Sequence, residues 1–244
     1  EWKRYNEDPA HPLFDRALLG KLPPGSVFKV VDSIAGLEDR VWDPETPITC
    51  VGQTVLYGDV RRCWKKEGHG TVTFLEALRG SCNVYFYHRG DALGIDRISR
   101  WARRLGLGEK TGIDIDPEGR GVVPDPAWKR RVKGEPWWPG ETVSVAIGQG
   151  ALGVSVLQVT TVMEVVANEG QAYVPFLVSR VGDGEYRRAP QVAREVKLRA
   201  DTLARLKGAL HAVVNEPHGT GGKARIEGFG VSGKTGTAEA PPSG

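Results

Sequence analysis

Apolar residues recur at helical spacing in four stretches of this chain. In SVFKVVDSIAGLED, Val27, Val30, Val31, Ile34 and Leu37 fall on one face. Ser26 opens that stretch, where a serine caps a helix by accepting a bond from a free backbone N–H. RISRWARRLGLG places Ile98, Trp101 and Leu105 on one side and ends in a glycine stop. VSVLQVTTVMEVVANEG predicts a buried helix closed by Gly170, despite its β-branched content, and ADTLARLKGALHAVV predicts an amphipathic one. AYVPFLVSRV and GFGVSGKTGTAE predict strands. Residues 1–25 read as loop running into LPPG. Residues 40–70 are rich in Pro, Gly and polar groups and predict irregular structure with short strands. Strands and helices do not alternate regularly, so the pattern predicts an α+β fold rather than a doubly wound sheet. No internal repeat or low-complexity segment interrupts it.

Composition narrows the function classes. The chain has 244 residues, 40% hydrophobic and 26% charged, an ordinary globular balance for one large domain or two small ones. The net charge is only +3, and basic runs such as KRRVK and DVRRCWKK are broken by acids and aromatics. They read as solvated surface, and no nucleic-acid partner is expected. No apolar run is long enough to span a bilayer, and EWKRYNEDPAHP is too polar for a signal peptide. If the parent protein is membrane-anchored, the anchor is expected outside this chain. Three cysteines do not make a simple disulfide framework.

Three short motifs carry candidate chemistry. PGSVFK sets Ser26 and Lys29 three residues apart, on one face of a helix, about 5–6 Å between Cβ atoms. A serine hydroxyl becomes a nucleophile when a neighbouring base takes its proton. Lysine is such a base once burial and nearby positive charge disfavour its ammonium form. The alternative is a capping serine beside a solvated lysine. In SGKTGT, Gly233 and Gly236 flank Lys234 and Thr235 in a strand-like setting, where glycine permits close approach of a ligand. Lys234 suits a substrate carboxylate, with Thr235 donating a hydrogen bond; the alternative is an edge strand blunted by lysine. In SCN, Ser81 supplies a hydroxyl and Asn83 an amide. Each motif alone is weak. Their joint occurrence in the order S-x-x-K, S-x-N, K-T-G is the combination found in penicillin-binding proteins and class A β-lactamases.

The companion text makes the likeness more specific. With NEDPAHPLFDRALLGKLPPGSVFK, RCWKKEGHGTVTFLEALRGSCNVYFY, WWPGETVSVAIGQGALGVSVLQ and GTGGKARIEGFGVSGKTGTAE, the chain resembles the transpeptidase domain of class B penicillin-binding proteins, most of all their elongation-type penicillin-binding protein 2 branch. The resemblance spans nearly the whole chain. It implies a serine β-lactamase/D,D-transpeptidase-like α+β fold, an antiparallel sheet flanked by helices, over residues 1–244. It implies Ser26 as acylated nucleophile, Lys29 as its base, Ser81 as proton relay and Asn83 as substrate-amide ligand. Lys234 and Thr235 would orient a terminal carboxylate beside Gly236, and the N–H groups of Ser26 and Thr237 would form an oxyanion hole. With both lysines in one cleft, Lys29 is expected neutral and Lys234 charged. The implied substrate is a peptidoglycan stem peptide ending in D-Ala-D-Ala, with β-lactams as covalent inhibitors. The implied partner is a SEDS-type membrane glycosyltransferase, bound through parts missing here, at the extracytoplasmic face of the bacterial inner membrane.

Family domains begin with an earlier strand and continue past KTGTAE with two more strands and a helix, so the sheet is expected to be incomplete at both ends and the activity of this chain alone is in question. Two rival functions remain. The first is a serine β-lactamase, or a sensor domain that acylates with drug; a class A β-lactamase needs a glutamate in an E-x-x-N pattern for deacylation, and no glutamate here is followed by Asn at that position, which favours a long-lived acyl-enzyme. A non-catalytic structural module of a cell-wall complex would have no need of intact Ser26, Lys29, Lys234 and Thr235.

Cys50, Cys63 and Cys82 lie within 33 residues, with His69 between the last two. Cys3His is a closed ligand set for structural zinc, although the gaps exceed those of a zinc finger. A Cys50–Cys63 disulfide with a buried Cys82, or three unrelated small core residues, fit the spacing too. Members of the resembled family hold zinc near the S-x-N motif, sometimes with aspartates where this chain has Cys50 and Cys63, which implies zinc here. Such an ion would organise residues 40–82, with Cys82 pointing away from a cleft faced by Ser81 and Asn83.

Overall fold

The helix expected at SVFKVVDSIAGLED forms the centre of the molecule. In this computed structural model, which describes residues 1–183 and 186–237, it is α2 (Lys29–Glu38), and every residue from Lys29 to Leu37 is buried. A helix covered on all sides lies inside a core rather than upon one. It packs against α4 (Asn83–Leu93), α5 (Ile95–Arg104) and α9 (Ala200–Asn215). Gly36 allows one of these closures: a Cβ there would stand 2.2 Å from the Trp42 indole. That indole is fixed by edge contacts with Tyr85 and Phe86 at 6.4 and 6.2 Å between centroids.

The other expected helices form with shifted ends. The RISRWARRLGLG helix runs Ile95–Arg104. The buried helix is α8 (Val156–Ala167), opened by a reciprocal cap in which Ser155 Oγ accepts from Gln158 N and Gln158 Oε1 accepts from Ser155 N, both at 3.2 Å. Four helices were not foreseen: α1 (Trp2–Glu7), which buries nothing, within the expected loop at 1–25, α3 (Phe74–Arg79), α6 (Pro126–Lys133) and α7 (Pro139–Val145). Helix α4, following the SCN motif, was also unexpected. Four consecutive side chains, Val84 to Tyr87, are buried there, so no helical period marks it.

Antiparallel pairing is present as four two-stranded sheets among the described residues. β1 (Ile48–Cys50) pairs with β4 (Gly70–Val72), and β2 (Gln53–Leu56) with β3 (Asp59–Arg62) through a Tyr57–Gly58 turn at positive φ. These strands and their loops make up the irregular region foreseen at 40–70. β5 (Gln171–Tyr173) pairs with β8 (Val192–Glu195), and β6 (Arg180–Val181) with β7 (Tyr186–Arg187). The strand expected over 228–239 does not pair: residues 228–237 join no ladder, and 238–239 lie outside the described residues. Extended backbone counts as a strand only when a neighbouring strand takes its N–H and C=O groups, and here Gly233 N–H goes to Leu210 O of α9 and Val231 O to the Asn215 side chain instead.

Candidate active site

The backbone first explains why the three motifs meet. Ser26 lies in a 3-10 turn (Gly25–Phe28) leading into α2, and Lys29 N–H donates to the Ser26 carbonyl. The serine does not cap the helix as its position suggested, because the 3-10 turn continues the helical path through it. The turn is wedged between two other segments. Gly25 (φ +56°) donates its N–H to Gly148 O at 3.0 Å, and a Cβ on Gly25 would lie 2.3 Å from Thr237 O. A Cβ on Gly148 (φ +75°) would meet Gly25 O at 2.0 Å. Only glycines permit this approach, which brings the 234–237 segment against the start of α2.

Side chains complete the cluster. Lys29 is wholly buried, and its Nζ donates to Asn83 Oδ1 (2.7 Å), Ser81 O (2.9 Å) and Ser81 Oγ (3.3 Å), with the Phe86 ring 5.3 Å away. Lys234 Nζ donates to the same Ser81 Oγ at 2.9 Å and to Thr235 O at 3.1 Å. Thr235 Oγ1 lies 2.6 Å from Thr220 Oγ1, a partner the sequence reading missed although GTGG stood in the matched text. Thus Ser26, Lys29, Ser81, Asn83, Lys234, Thr235, Gly236 and Thr237 converge, and one hydroxyl touches both amines.

Burial sets the protonation. Desolvation lowers Lys29 to about 8 against the opposing fields of Cys82, Cys63 and Asp32. Desolvation, and then repulsion from Lys29, lowers Lys234 to about 7. Burial thus brings both amines within reach of neutral pH in the substrate-free site. Lys29 has Cys82, Cys63 and Asp32 behind it, and the charge on Cys63 favours its ammonium form.

One of those groups, Asp32, was not foreseen. It lies one helical turn past Lys29, fully buried, and neither carboxylate oxygen has a hydrogen-bond partner. Burial raises its pKa well above the ordinary range, and the Lys29 charge only partly opposes this. The sequence signal is a carboxylate inside the apolar run VVDSIAG.

The four candidate metal ligands also meet. The ligand atoms of Cys50, Cys63, His69 and Cys82 all lie within 4.8 Å of one another. All three cysteines are free and buried, and none forms the disulfide that the spacing also allowed. His69 Nδ1 is 3.5 Å from Cys63 Sγ and 3.7 Å from Cys50 Sγ, while its Nε2 faces Gly80 O at 3.0 Å. A proton held on Nε2 by that carbonyl leaves the Nδ1 lone pair toward the sulfurs, the orientation a metal requires. The first amides of α4 point at sulfur, Asn83 N to Cys63 Sγ at 3.4 Å and Tyr85 N to Cys82 Sγ at 3.5 Å. The hydrogen bond from the Cys82 thiol pulls Cys63 down to about 3, and the same contact pushes Cys82 up. The donor set thus already favours a thiolate and fits a soft divalent ion such as zinc. Between the two clusters, Ser81 sits at φ +55°, a conformation that costs a non-glycine residue about 1–2 kcal/mol.

Comparison with known proteins agrees with this fold. Residues 2–242 match the family described as the penicillin binding protein transpeptidase domain. The chain is 36% identical over 233 residues to the peptidoglycan D,D-transpeptidase MrdA of Acinetobacter baumannii, covering 93% of this chain and 34% of that protein. It therefore spans about a third of that relative's length. Its fold matches the penicillin-binding protein PBP2 of Helicobacter pylori with a TM-score of 0.87 at 30% identity, over 98% of this chain and 44% of that one. It matches equally, at 36% identity, a structure described as a peptidoglycan synthase complex coordinating polymerization and crosslinking, over 99% of this chain and 41% of that one, again with a TM-score of 0.87.

The state of Asp32 gives a stability prediction. Below about pH 4 the carboxyl is protonated both folded and unfolded, so it adds no pH dependence. Above that, the unfolded chain ionises Asp32 while the folded chain keeps it protonated, and stability is lost as pH rises. Asp32→Asn should therefore gain in melting temperature relative to the unaltered protein from about pH 4 to about pH 7. A difference that stays constant over that range contradicts the assignment.

Proposed function

The chain belongs to the penicillin-binding protein transpeptidase family, and from that premise we propose that residues 1–244 are the acyl-transfer domain of a peptidoglycan D,D-transpeptidase. The observation that carries this reading is the Ser81 hydroxyl held between two desolvated amines, at 3.3 Å from Lys29 and 2.9 Å from Lys234. That arrangement lets one amine accept a proton while the other keeps the relay hydroxyl oriented.

In this reading the stem peptide ends in D-Ala-D-Ala. Ser26 Oγ attacks the carbonyl of the penultimate residue as Lys29 Nζ takes the hydroxyl proton. The N–H groups of Ser26 and Thr237 would stabilise the oxyanion, and Asn83 would bind the peptide amide. The proton passes through Ser81 Oγ to the departing nitrogen, so D-Ala leaves as a neutral amine and the peptide remains as an ester on Ser26. An amine of a neighbouring stem then attacks that ester, returning the proton along the same path and freeing the serine. Lys234 and Thr235 would hold the terminal carboxylate, with Gly236 keeping the segment close. A carboxylate arriving beside Lys234 favours its ammonium form, and that renewed charge lowers the proton affinity of Lys29. Substrate binding would thereby restore the neutral base. A β-lactam presents the same carboxylate and a strained amide, and its ester would persist, since no E-x-x-N glutamate is present to activate water.

The Cys50, Cys63, His69 and Cys82 set would hold zinc. Its role would be structural, a crosslink that supplies no group to the reaction and organises residues 40–82. The whole protein would act at the extracytoplasmic face of the inner membrane with a SEDS-type glycosyltransferase, through segments outside this chain. No helix among the described residues is long and apolar enough to cross a membrane.

Two measurements test this. In the full-length protein carrying this domain, a fluorescent penicillin should give a stable covalent band, and Ser26→Ala should abolish it while the melting temperature is kept. Wild-type labelling in that variant would remove Ser26 from its role, and drug turnover without a band would indicate a β-lactamase. Protein purified without added metal should carry about one zinc per chain and melt lower in chelator, since binding at such sites is worth on the order of 10 kcal/mol. Less than about a tenth of an equivalent would end the zinc assignment.

A further inference from the structure

Trp64 has no part in the reaction described above, yet it stands where the two clusters meet. It is 57% exposed, and its ring meets His69 edge-on with centroids 5.4 Å apart. Its single indole N–H faces two carbonyl oxygens, Gly80 O at 3.1 Å and Ser81 O at 3.2 Å. Each of those oxygens has a second partner. Gly80 O faces His69 Nε2 at 3.0 Å, and Ser81 O accepts from Lys29 Nζ at 2.9 Å. His69, Gly80, Trp64, Ser81 and Lys29 therefore form one unbroken chain of contacts.

The link lies on the strained part of the backbone. Ser81 is a non-glycine residue at φ +55°, and its hydroxyl direction depends on keeping that conformation. Its own N–H is held by Leu78 O at 3.2 Å and the next one by Ala77 O at 2.8 Å. Those bonds fix the amides of the turn. The carbonyls are fixed from the other side by His69, Trp64 and Lys29, and of these only Trp64 reaches both. The approach is close as well: a Cβ on Gly80 would stand 3.1 Å from His69 Cδ2, so the imidazole lies directly against the turn.

We propose that Trp64 is a positioning residue, its N–H joining the Gly80 and Ser81 carbonyls so that the state of the Cys3His centre is passed to Lys29 and the Ser81 hydroxyl. This rests on the function proposed above. With the metal bound, His69 keeps its Nε2 proton toward Gly80 and the turn holds Ser81 in place. Without it, His69 is free to rotate, Gly80 O loses a partner, and the shared N–H no longer fixes both carbonyls. The metal thereby influences acylation while supplying nothing to the chemistry.

The test uses the metal-loaded full-length protein and Trp64→Phe, which keeps an aromatic ring on His69 and removes the N–H. Acylation by a fluorescent penicillin is followed over drug concentration, separating the limiting rate from the half-saturation concentration. The limiting rate should fall about tenfold, as expected for losing hydrogen bonds that hold a reacting group in place. Half-saturation should change less than about twofold, and zinc should remain near one per chain. An unchanged limiting rate overturns the proposal. So does a raised half-saturation with an unchanged limiting rate, which would make the exposed ring a drug contact. Loss of zinc in the variant would make Trp64 mere packing for the metal, and overturns it too. A second measurement needs no variant. In protein labelled with 15N-tryptophan, hydrogen exchange at the Trp64 indole should be slow with metal and fast after chelation; equal rates overturn the link even if Trp64→Phe does not fold. If the unaltered protein is not acylated at all, the functional reading has failed, and indole exchange still decides whether metal and turn are coupled.

Discussion

The structure depends on one buried amine. Lys29 Nζ is cut off from water at the start of a helix that is itself enclosed, and it has three acceptors, two on Ser81 and one on Asn83. An unpaired charge there would be costly, so the acceptors are obligatory, and they fix where the S-x-N segment must lie. Desolvation that makes an ammonium costly also makes the neutral amine accessible near physiological pH. The interaction that holds the core together at this point is thus the one that prepares a base. Lys234 completes the pattern by sharing the Ser81 hydroxyl from the opposite side.

A second constraint follows. Ser81 meets both lysines from a backbone conformation that L residues rarely adopt. Strain of that kind persists where the surroundings over-determine it. Here they do: amide bonds into α3 hold one side, and His69 and Trp64 hold the carbonyls on the other. The region that supplies His69 and Trp64 has short strands and few apolar residues, with Cys50 and Cys63 among its buried ones. It has little core of its own. In the proposed account a metal would supply the rigidity that apolar packing provides elsewhere, which would answer why a cysteine stands between Ser81 and Asn83.

What the sequence disclosed, and what it hid, divides along physical lines. The motif residues were legible because their chemistry is local and their order specific, and the three segments do meet, through the contacts of Ser81 with Lys29 and Lys234. Helices with one buried face, such as the one around Trp101, were legible from period. Helix α4 was not, since Val84 through Tyr87 are all buried and their aromatic and β-branched content resembles a strand. The KTG segment has a strand's composition, but pairing is a property of neighbours, and residues 228–237 have none in a ladder. Ser26 looked like a cap because nothing in the letters distinguishes a cap from a 3-10 turn. The environment of the two lysines was hidden for a similar reason: it depends on burial and on sulfurs distant in sequence that lie close only after folding.

The central claim, that burial makes Lys29 the base, is tested most directly by the rate at which a penicillin acylates the full-length protein as pH is varied. The neutral amine grows as pH rises through about 8. The account predicts that the second-order acylation rate constant, read at drug well below saturation and so reporting the unliganded protein, climbs with a slope near one in log units from about pH 6 toward about pH 8. A rate that stays flat across that range, in protein that remains folded, would contradict it.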